Sequence, residues 1–337
     1  MSEIIRRNVK GLTSEFGQYF SGKRVLVTGS AGFLGSWLCD VLAGSQAKVH
    51  CLDNLSTGKK DNLEHLEGKV TMIIGDVEAV EFEGRFDYIF HFASRASPEE
   101  YQQHPIKTLT ANSIGTLRML ELARSSGSVL VYASSSEVYG DAKVVPTPES
   151  YYGYVNPVGP RSCYDEGKRF GEALCMAYFN ESKTKVRVAR IFNSYGPRIR
   201  EDGAYARALP KFISQSLMGR PITIYGDGKQ TRSFCYVTDT ITGILKLAVK
   251  DRVDGEVFNI GNTNEITILD LARIIIASTK GRSSLKFLPP APDDPRRRCP
   301  DVMKATKLLG WSPNVSLEEG LAETIKWFQR GITKDDR

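Results

Sequence analysis

The chain has 337 residues, of which 41% are hydrophobic and 25% charged, and its formal net charge is +6 at pH 7. This length predicts about two domains, and the composition is typical of a globular protein with a hydrophobic core. The modest positive charge allows an anionic ligand, but the sequence has no long Lys/Arg block and no basic run interleaved with aromatic residues, which argues against nucleic acid as a partner.

The cysteines and the N-terminal residues bear on the compartment. The six cysteines form no Cys-x-x-Cys pair and do not cluster with the four histidines, so we predict no metal site. Scattered thiols in a chain of this size are typical of a reducing compartment. Residues 1–22 lack the apolar core of a signal peptide or a membrane span, so we expect a cytoplasmic protein without a membrane partner.

Hydrophobic patterns predict alternating strands and helices. An amphipathic leading helix is indicated by Ile4, Ile5, Val9, Leu12, Phe16 and Phe20. Apolar runs predict strands at residues 24–28, 48–53, 70–74, 88–92, 129–133, 186–192 and 257–260. Helical patterns occupy residues 33–42, 105–124, 160–179 and 268–279. This alternation is typical of a Rossmann-type α/β fold, a doubly wound parallel sheet with helices on both faces.

A glycine-rich turn lies between the first predicted strand and the first predicted helix. It reads Gly29-Ser30-Ala31-Gly32-Phe33-Leu34-Gly35, a G-x-x-G-x-x-G spacing. Glycines there allow a tight turn and the close approach of a pyrophosphate to the helix N-terminus. The turn therefore predicts a dinucleotide site that includes Gly29, Gly32, Phe33, Leu34 and Gly35.

Asp53 ends the second predicted strand, about twenty residues beyond the turn. A carboxylate there accepts hydrogen bonds from a ribose 2′-hydroxyl and repels a 2′-phosphate, which favours NAD over NADP. Lys59 and Lys60 are the counter-evidence, since they offer cations to a phosphate. We assign the other cofactor contacts to Asn54, Ser56, Thr57, Gly58, Asp76, Val77 and Ser94.

Tyr164 and Lys168 lie four residues apart in a predicted helix and therefore share a face. An ammonium group beside a phenol favours the phenolate, so we expect Lys168 to lower the pKa of Tyr164 and to make it an acid or base near neutral pH. The spacing alone is common on helix surfaces. Here it follows the glycine-rich turn and the run Ser135-Ser136-Glu137, and together these features predict a redox enzyme.

The pattern becomes less regular after residue 197, which suggests a second unit. We predict an NAD-binding Rossmann domain of residues 1–195, with the chain returning to the sheet near residues 235–262. Residues 196–234 and 263–333 are predicted to form a smaller C-terminal substrate-binding lobe.

From about Arg24 to Phe328, the chain resembles the extended short-chain dehydrogenase/reductase family that acts on nucleotide sugars. The runs Tyr-Asp-Glu-Gly-Lys-Arg at 164–169 and Asp-Asp-Pro at 293–295 are most similar to its UDP-glucuronate decarboxylase, or UDP-xylose synthase, branch. The dehydratase relatives carry an Asp-Glu pair in place of Ser136-Glu137, because they protonate a departing hydroxyl. A decarboxylase has no such leaving group, and simple 4-epimerases usually lack the glutamate as well.

The resemblance implies a mechanism and a role for each residue. Tyr164 takes the C4 hydroxyl proton, Lys168 holds the nicotinamide ribose, and Ser135 hydrogen-bonds the C4 oxygen. Ser136 and Glu137 position the sugar ring and manage protonation at C5. Oxidation at C4 places a carbonyl β to the carboxylate, carbon dioxide leaves, and re-reduction by NADH gives UDP-xylose.

The resemblance also implies how an anionic UDP-sugar is bound. Arg298 is placed near the sugar carboxylate, and Arg198 and Arg232 near the diphosphate, where a planar guanidinium can bind in a bidentate way. Asn193 and Tyr101 are candidates for hydrogen bonds to the diphosphate or the sugar. A surface salt bridge is an equally good interpretation of each arginine taken alone.

The remaining expectations concern assembly and specificity. In this family, helices corresponding to residues 108–124 and 164–179 pair with their symmetry mates, so we expect a homodimer. Arg95 stands where the branch commonly has proline, and either altered uronic-acid selectivity or no effect is compatible with it. Cys299 also replaces a commonly basic residue, a change more consistent with no effect.

Three alternatives stay open at this point. The same Tyr164, Lys168 and NAD serve a UDP-sugar 4-epimerase or a nucleotide-sugar dehydratase. A decarboxylase that stops early would release a 4-keto pentose and NADH. A non-catalytic nucleotide-sensing module is disfavoured, because such modules characteristically lose the tyrosine or the lysine. The sequence leaves the uronic acid and the nucleotide undetermined.

Overall fold

The computed structural model describes residues 2–200 and 207–335, the last four of these by their backbone alone. The helices are α1 Glu3–Phe20, α2 Phe33–Gly44, α3 Pro98–Gln103, α4 Pro105–Ser126, α5 Ser162–Ser182, α6 Ala208–Leu217, α7 Val237–Val249, α8 Ile268–Ser278, α9 Met303–Leu309 and α10 Leu317–Asp335. The strands are β1 Arg24–Thr28, β2 Lys48–Asp53, β3 Thr71–Ile74, β4 Tyr88–His91, β5 Val129–Ser135, β6 Val186–Ile191, β7 Ser194–Tyr195, β8 Ile222–Tyr225, β9 Thr231–Ser233, β10 Cys235–Tyr236, β11 Glu256–Ile260, β12 Glu265–Thr267, β13 Leu285–Leu288 and β14 Arg297–Arg298.

Seven parallel strands form the central sheet in the order β11-β6-β5-β4-β1-β2-β3. β1 pairs with β2 on one side and with β4 on the other, so the strand order reverses at β1. Ligands of such sheets bind at the carboxyl ends of the strands beside this switch point. The predicted Rossmann-type fold class is confirmed, and the predicted strands agree with the observed ones to within two residues.

Helices cover both faces of the sheet. One hydrophobic cluster joins residues of α1, α2 and α7, and a second joins residues of α4 and α5 to the other face. The six apolar residues predicted for the leading helix are all buried in α1. Asn8 of α1 also donates to Glu323 of α10 (3.1 Å), which ties the N-terminal helix to the C-terminal one.

The second half of the chain builds smaller sheets beside the carboxyl edge. β9 pairs with β12 and β14, and β8 pairs with β13. Not all of this half stands apart, because α9 packs on β11 and α7, and Trp311 donates to the carbonyl of Asp239 (2.9 Å). The predicted division into a domain and a lobe stays a prediction, and residues 201–206 of that lobe lie outside the described residues.

No helix among the described residues is both long and apolar enough to cross a membrane. Over the same residues, His, Cys, Asp and Glu side chains form no group of three that could hold a metal ion.

Candidate active site

A cavity of about 630 Å³ lies at the carboxyl ends of β1, β2, β4 and β5, between the sheet and the smaller sheets. Most of the predicted site residues line it. They are Gly29, Gly32, Phe33, Leu34, Gly35, Asp53, Asn54, Ser56, Thr57, Asp76, Val77, Ser94, Ser135, Ser136, Glu137, Tyr164, Lys168, Asn193, Arg232 and Arg298.

The glycine-rich turn connects β1 to α2 and has little room for side chains. Gly29 has φ +68°, and a Cβ there would lie 2.8 Å from the amide nitrogen of Ala93. A Cβ on Gly35 would lie 2.1 Å from the carbonyl oxygen of Gly29. At Gly32, by contrast, only the Gly29 carbonyl oxygen is close (3.1 Å), and this residue faces the cavity. The turn therefore leaves its backbone accessible at the N-terminus of α2.

Asp53 holds the turn and the loop that follows β2. Its Oδ2 accepts from the amide of Ala31 (2.9 Å), and its Oδ1 accepts from the amide of Leu55 (2.8 Å). Burial raises the pKa of this carboxyl, while the two amide hydrogen bonds act against burial. Beside it, Asn54 donates to Asp76 (2.5 Å) across the ends of β2 and β3.

These residues fit a bound dinucleotide. The turn would clash with side chains at Gly29 and Gly35, and the hydroxyl of Ser30 is buried without a hydrogen-bond partner among the described residues. A carboxylate at the end of β2 completes the arrangement that recognises the adenosine ribose of NAD.

Tyr164 and Lys168 lie on the first turns of α5, and both are buried. The hydroxyl of Ser135 is hydrogen-bonded to the phenol of Tyr164, and Lys168 donates to the carbonyl of Ala133 (2.8 Å). Burial raises the pKa of Tyr164 to about 12, and burial lowers the pKa of Lys168 to about 7. The expected lowering of the tyrosine pKa by Lys168 is therefore wrong for the chain alone, because burial disfavours both charged forms.

Glu137 is held between two arginines. Arg161 donates to its Oε2 (2.5 Å), and Arg298 binds both of its oxygens, with one distance of 2.6 Å at Oε2. Burial acts to raise the pKa of Glu137, but the charges of Arg161 and Arg298 outweigh it and lower that pKa to about 2. The carboxylate is therefore ionised and its two oxygens are engaged.

Arg161 belongs to the site although the sequence analysis did not assign it a role. It is buried and precedes α5, where no periodicity marks it. Its one signal in the sequence is its position three residues before Tyr164. Asp165 was missed as well: its carboxyl lies 3.9 Å from Nε of Arg161, and burial, followed by the charge of Glu137, raises its pKa to about 8.

Three residues assigned to the site do not line the cavity. Arg198 is buried against Asp40 (2.7 Å) with its guanidinium 5.9 Å from the ring of Trp37, so the structure does not place it at a diphosphate. Gly58 packs behind the turn, where a Cβ would lie 2.9 Å from Oδ1 of Asp53. Tyr101 lies behind Tyr164, its ring stacked on that ring with centroids 5.2 Å apart.

Arg95 lies on the cavity wall and is already paired. It donates to Glu100 (3.0 Å), and Glu100 also lies 3.4 Å from Arg200. Arg200 in turn donates to the carbonyl of Thr57 (3.1 Å). Arg95 thus belongs to a chain of polar contacts at the mouth of the site.

The wall on the side of the smaller sheets is cationic. Arg232 is buried and pairs with Asp294 (2.8 Å), and Asn193 donates to the carbonyl of Ser233 (3.2 Å). Further polar residues that the sequence analysis did not assign face the cavity here: Arg207, Lys211, Tyr225 and Gln230. Gln230 lies two residues before Arg232, whereas Arg207, Lys211 and Tyr225 come from segments to which the sequence analysis gave no motif.

A glycine-rich turn at the switch point and a buried tyrosine–lysine pair at the same edge define a dinucleotide-dependent enzyme of the short-chain dehydrogenase/reductase class. The family model described as the NAD dependent epimerase/dehydratase family matches residues 25–261, and the chain belongs to this family. This membership confirms the resemblance seen in the sequence and agrees with NAD as the cofactor.

Two similar proteins within the family are UDP-glucuronic acid decarboxylases. The chain is 49% identical to UDP-glucuronic acid decarboxylase 1 of Danio rerio over 312 residues, which cover 92% of this chain and 73% of that protein. It is 46% identical to UDP-glucuronic acid decarboxylase 6 of Arabidopsis thaliana over 304 residues, or 89% of this chain and 87% of that protein.

Solved structures share the fold. The UDP-glucose 4-epimerase of Thermotoga maritima with UDP-glucose matches with a TM-score of 0.85 and 33% identity, covering 92% of this chain and 99% of that one. MoeE5 in complex with UDP-glucuronic acid and NAD matches with a TM-score of 0.80 and 29% identity, covering 91% and 99% respectively. The identity is higher to the decarboxylases than to either of these structures.

Proposed function

We propose that this protein is an NAD-dependent decarboxylase that converts UDP-glucuronate to UDP-xylose. The observation that supports the proposal most is a site with two parts. The chain that forms this site is 49% identical to a UDP-glucuronic acid decarboxylase. One part is Tyr164 with Ser135, and the other is Glu137 between Arg161 and Arg298. The first part suits oxidation of a sugar hydroxyl, and the second gives a carboxylate-bearing sugar a cationic surrounding.

The C4 position of the sugar is assigned to Tyr164, Ser135 and Lys168. Tyr164 is assigned as the acid–base group that takes the C4 hydroxyl proton, Ser135 hydrogen-bonds the same oxygen, and Lys168 is assigned to the nicotinamide ribose beside them. NAD, when bound, supplies the hydride acceptor for C4 and the donor for its re-reduction. With a carbonyl at C4, the electrons that carbon dioxide leaves behind are delocalised into an enolate.

The remaining residues hold the two ligands. The turn at Gly29, Gly32 and Gly35 receives the NAD pyrophosphate at the N-terminus of α2, and Asp53 receives the adenosine ribose. Other cofactor contacts are assigned to Phe33, Leu34, Asn54, Ser56, Thr57, Asp76, Val77 and Ser94 on the cavity wall. Arg232 and Asn193 are assigned to the UDP diphosphate, and Ser136 to the sugar. Arg198 has no part in this assignment, because it is committed to Asp40.

We further propose a homodimer through the exposed face of α4 and α5, which pack on each other. Large apolar side chains are exposed on this face: Ile106, Leu109, Ile114 and Leu117 of α4 and Phe170 of α5. Leu109 and Phe170 line one groove together. Apolar patches of this kind on a charged helix pair are typical of an interface.

A reducing compartment such as the cytoplasm is also proposed. All six cysteines are buried and free, including Cys39 and Cys51, whose sulfurs lie 3.3 Å apart without a bond. Buried free cysteines are typical of a reducing compartment.

Mass spectrometry of the product tests the proposed reaction. Purified protein with UDP-glucuronate and NAD should give a UDP-pentose that lacks the mass of one carbon dioxide. Tyr164→Phe should give no such product, since the ring and its stack on Tyr101 remain but the acid–base hydroxyl is gone. A product of unchanged mass and altered retention would instead mean a 4-epimerase, and loss of water would mean a dehydratase.

A further inference from the structure

The reaction proposed above requires that the reduced cofactor stays bound until the last step. C4 of the sugar first loses a hydride and a proton, and it takes both back after carbon dioxide has left. If NADH dissociates between these steps, UDP-glucuronate and NAD give a UDP-4-keto-pentose, carbon dioxide and NADH. If NADH stays bound, UDP-glucuronate and one proton give UDP-xylose and carbon dioxide. The product therefore depends on how firmly the cofactor is held.

Four residues on the cavity wall form a continuous chain of polar contacts, here called the strap: Arg95, Glu100, Arg200 and Thr57. Glu100 uses a different carboxylate oxygen for each arginine. Its Oε2 accepts from Arg95 (3.0 Å), and its Oε1 lies 3.4 Å from Nη2 of Arg200. Nη1 of Arg200 donates to the carbonyl of Thr57 (3.1 Å). The strap thus joins three segments that are distant in the chain.

The strap connects the two strands that flank β1. Arg95 and Glu100 follow β4, and Thr57 follows β2. β1 lies between β4 and β2 in the sheet, and its carboxyl end continues into the glycine-rich turn. Because all four strap residues line the same cavity as this turn, the strap passes beside the space assigned to the dinucleotide.

Arg200 extends from a segment that is fixed to α2. Two residues before it, Arg198 pairs with Asp40 of α2 (2.7 Å). Nε1 of Trp37, also in α2, donates to the carbonyl of Pro197 (3.1 Å). Arg198, which does not line the cavity, therefore fixes the segment from which the strap begins.

The loop that carries Thr57 is held to the glycine-rich turn. The amide of Lys59 and the side-chain amide of Asn62 both donate to the carbonyl of Ala31, over 3.1 and 2.9 Å. Arg200 thus connects two segments that the fold already holds in place. This distinguishes the strap from an isolated ion pair between mobile surface side chains, which contributes little.

We propose that the strap retains the cofactor through the catalytic cycle: Glu100 and Arg200 hold the loop after β2 beside the bound dinucleotide, and Arg95 positions Glu100. Retention depends on the dinucleotide site alone, whereas its effect on the product rests on the proposed decarboxylation. Arg95 then has a function that needs no contact with the sugar, because it binds the Glu100 oxygen that Arg200 does not use.

The dissociation rate of NADH tests the strap without any sugar. NADH bound to the purified protein is displaced by excess NAD in a stopped-flow instrument, and its fluorescence is followed. Glu100→Gln keeps the size of the side chain and removes its charge, so both ion pairs are lost. NADH should then dissociate roughly tenfold faster, because changes within one binding site act mainly on dissociation. Higher ionic strength should speed dissociation more in the native protein than in this variant, since partly exposed charges are screened.

The ratio of products provides the second readout. With UDP-glucuronate and NAD, Glu100→Gln should release a larger share of UDP-4-keto-pentose, together with an equal amount of NADH. Mass spectrometry and the absorbance of NADH measure the two. Glu99→Gln is the matched control, because it removes the adjacent carboxylate of α3, which accepts from Gln103 (3.3 Å) and lies outside the strap. It should keep the native dissociation rate and product ratio.

Arg200→Ala keeps the proposal testable if Glu100→Gln does not fold. It removes the contacts with Glu100 and Thr57, so it should speed NADH dissociation by a similar factor. Arg95→Ala should have a smaller effect, because the contact between Glu100 and Arg200 remains. If the folded variants at Glu100 and Arg200 release NADH at the native rate, the strap does not retain the cofactor. If the native protein releases no carbon dioxide, the proposed function fails, and the NADH measurement still decides the role of the strap.

Discussion

At the residue scale, the site depends on how charges are paired. Glu137 lies between Arg161 and Arg298, and Asp165 lies beyond Arg161, so two acids and two bases share one buried region. A buried ion pair is costly to break, because the charge left behind has no solvent to stabilise it. The arrangement therefore fixes the protonation of Glu137 as well as its position.

Arg161→Ala tests this pairing. We expect the free energy of unfolding to fall by about 3 kcal/mol, the low end for a broken buried pair, because Arg298 still binds Glu137. The pKa of Glu137 should rise with one cation gone, so activity should be lost at a higher pH on acidification than in the native protein. Chemical denaturation and the acid limb of kcat/KM measure the two effects. Arg273→Ala, an exposed arginine of α8, is the control and should change neither.

A second residue-scale prediction concerns Arg95. Because Glu100 already neutralises it, Arg95→Ala should raise the KM for UDP-glucuronate less than tenfold. Arg298→Ala should reduce kcat/KM on the order of a hundredfold, because Arg298 binds both oxygens of Glu137 and is proposed to lie near the sugar carboxylate. Steady-state kinetics with UDP-glucuronate measure KM and kcat/KM for both variants. A larger effect at Arg95 than at Arg298 would show that Arg95 meets the carboxylate.

Sequence reasoning predicted that Tyr164 and Lys168 lie together, but it did not predict what surrounds them. Tyr164 and Lys168 were found because their spacing is local, four residues on one helix. The raised pKa of Tyr164 and the partner of Arg198 depend on burial and on Asp40, which is distant in the chain. The contacts of Arg161 with Glu137 and Asp165 could not be predicted, because the fold brings Glu137 to α5 from a distant part of the chain.

At the element scale, the turn between β1 and α2 leaves no room for a Cβ at Gly29 or Gly35. The sequence pattern was sufficient to predict this turn. The strand, the turn and the helix are adjacent in the chain, and the glycine spacing indicates the backbone geometry directly. The substrate side was less predictable. Arg232 and Arg298 are brought together by the pairing of β9 with β14, two strands of three and two residues that leave almost no hydrophobic pattern.

Two alanine substitutions separate the structural glycines from the ligand-facing one. Gly35→Ala should lower the melting temperature strongly or prevent folding, since its Cβ would meet the Gly29 carbonyl at 2.1 Å. Gly32→Ala should fold with a similar melting temperature and lose NAD affinity by at least tenfold. Thermal unfolding and calorimetric titration of NAD measure these effects.

Gly11→Ala, in an exposed turn of α1 with no atom within 4 Å of the added Cβ, should instead stabilise the protein by about 1 kcal/mol.

At the scale of the whole molecule, the cavity lies where the central sheet and the smaller sheets meet. Its walls come from the first strand turn at Gly29 through to Arg298, so nearly the whole chain is needed to close it. The hydrophobic core is shared in the same way, since one cluster extends from Ile5 of α1 to Phe328 of α10. Truncation from either end therefore removes part of the core on which the site rests.

Assembly is tested on the face of α4 and α5. Phe170→Glu should turn the proposed dimer into a monomer without loss of the melting transition, because Phe170 is 51% exposed in the single chain. Sedimentation equilibrium gives the mass of each variant. Met303→Glu is the matched control, an apolar side chain 69% exposed on α9, and it should leave the mass unchanged. A monomeric native protein would contradict the dimer.

The fate of the sugar carboxyl carbon tests the central claim most directly. UDP-glucuronate labelled at C6 is incubated with the protein and NAD, and the label is followed by carbon NMR. We predict that the carboxylate signal is replaced by that of carbon dioxide and bicarbonate, with no label left in the nucleotide sugar. Retention of the label in a new UDP-sugar would contradict decarboxylation.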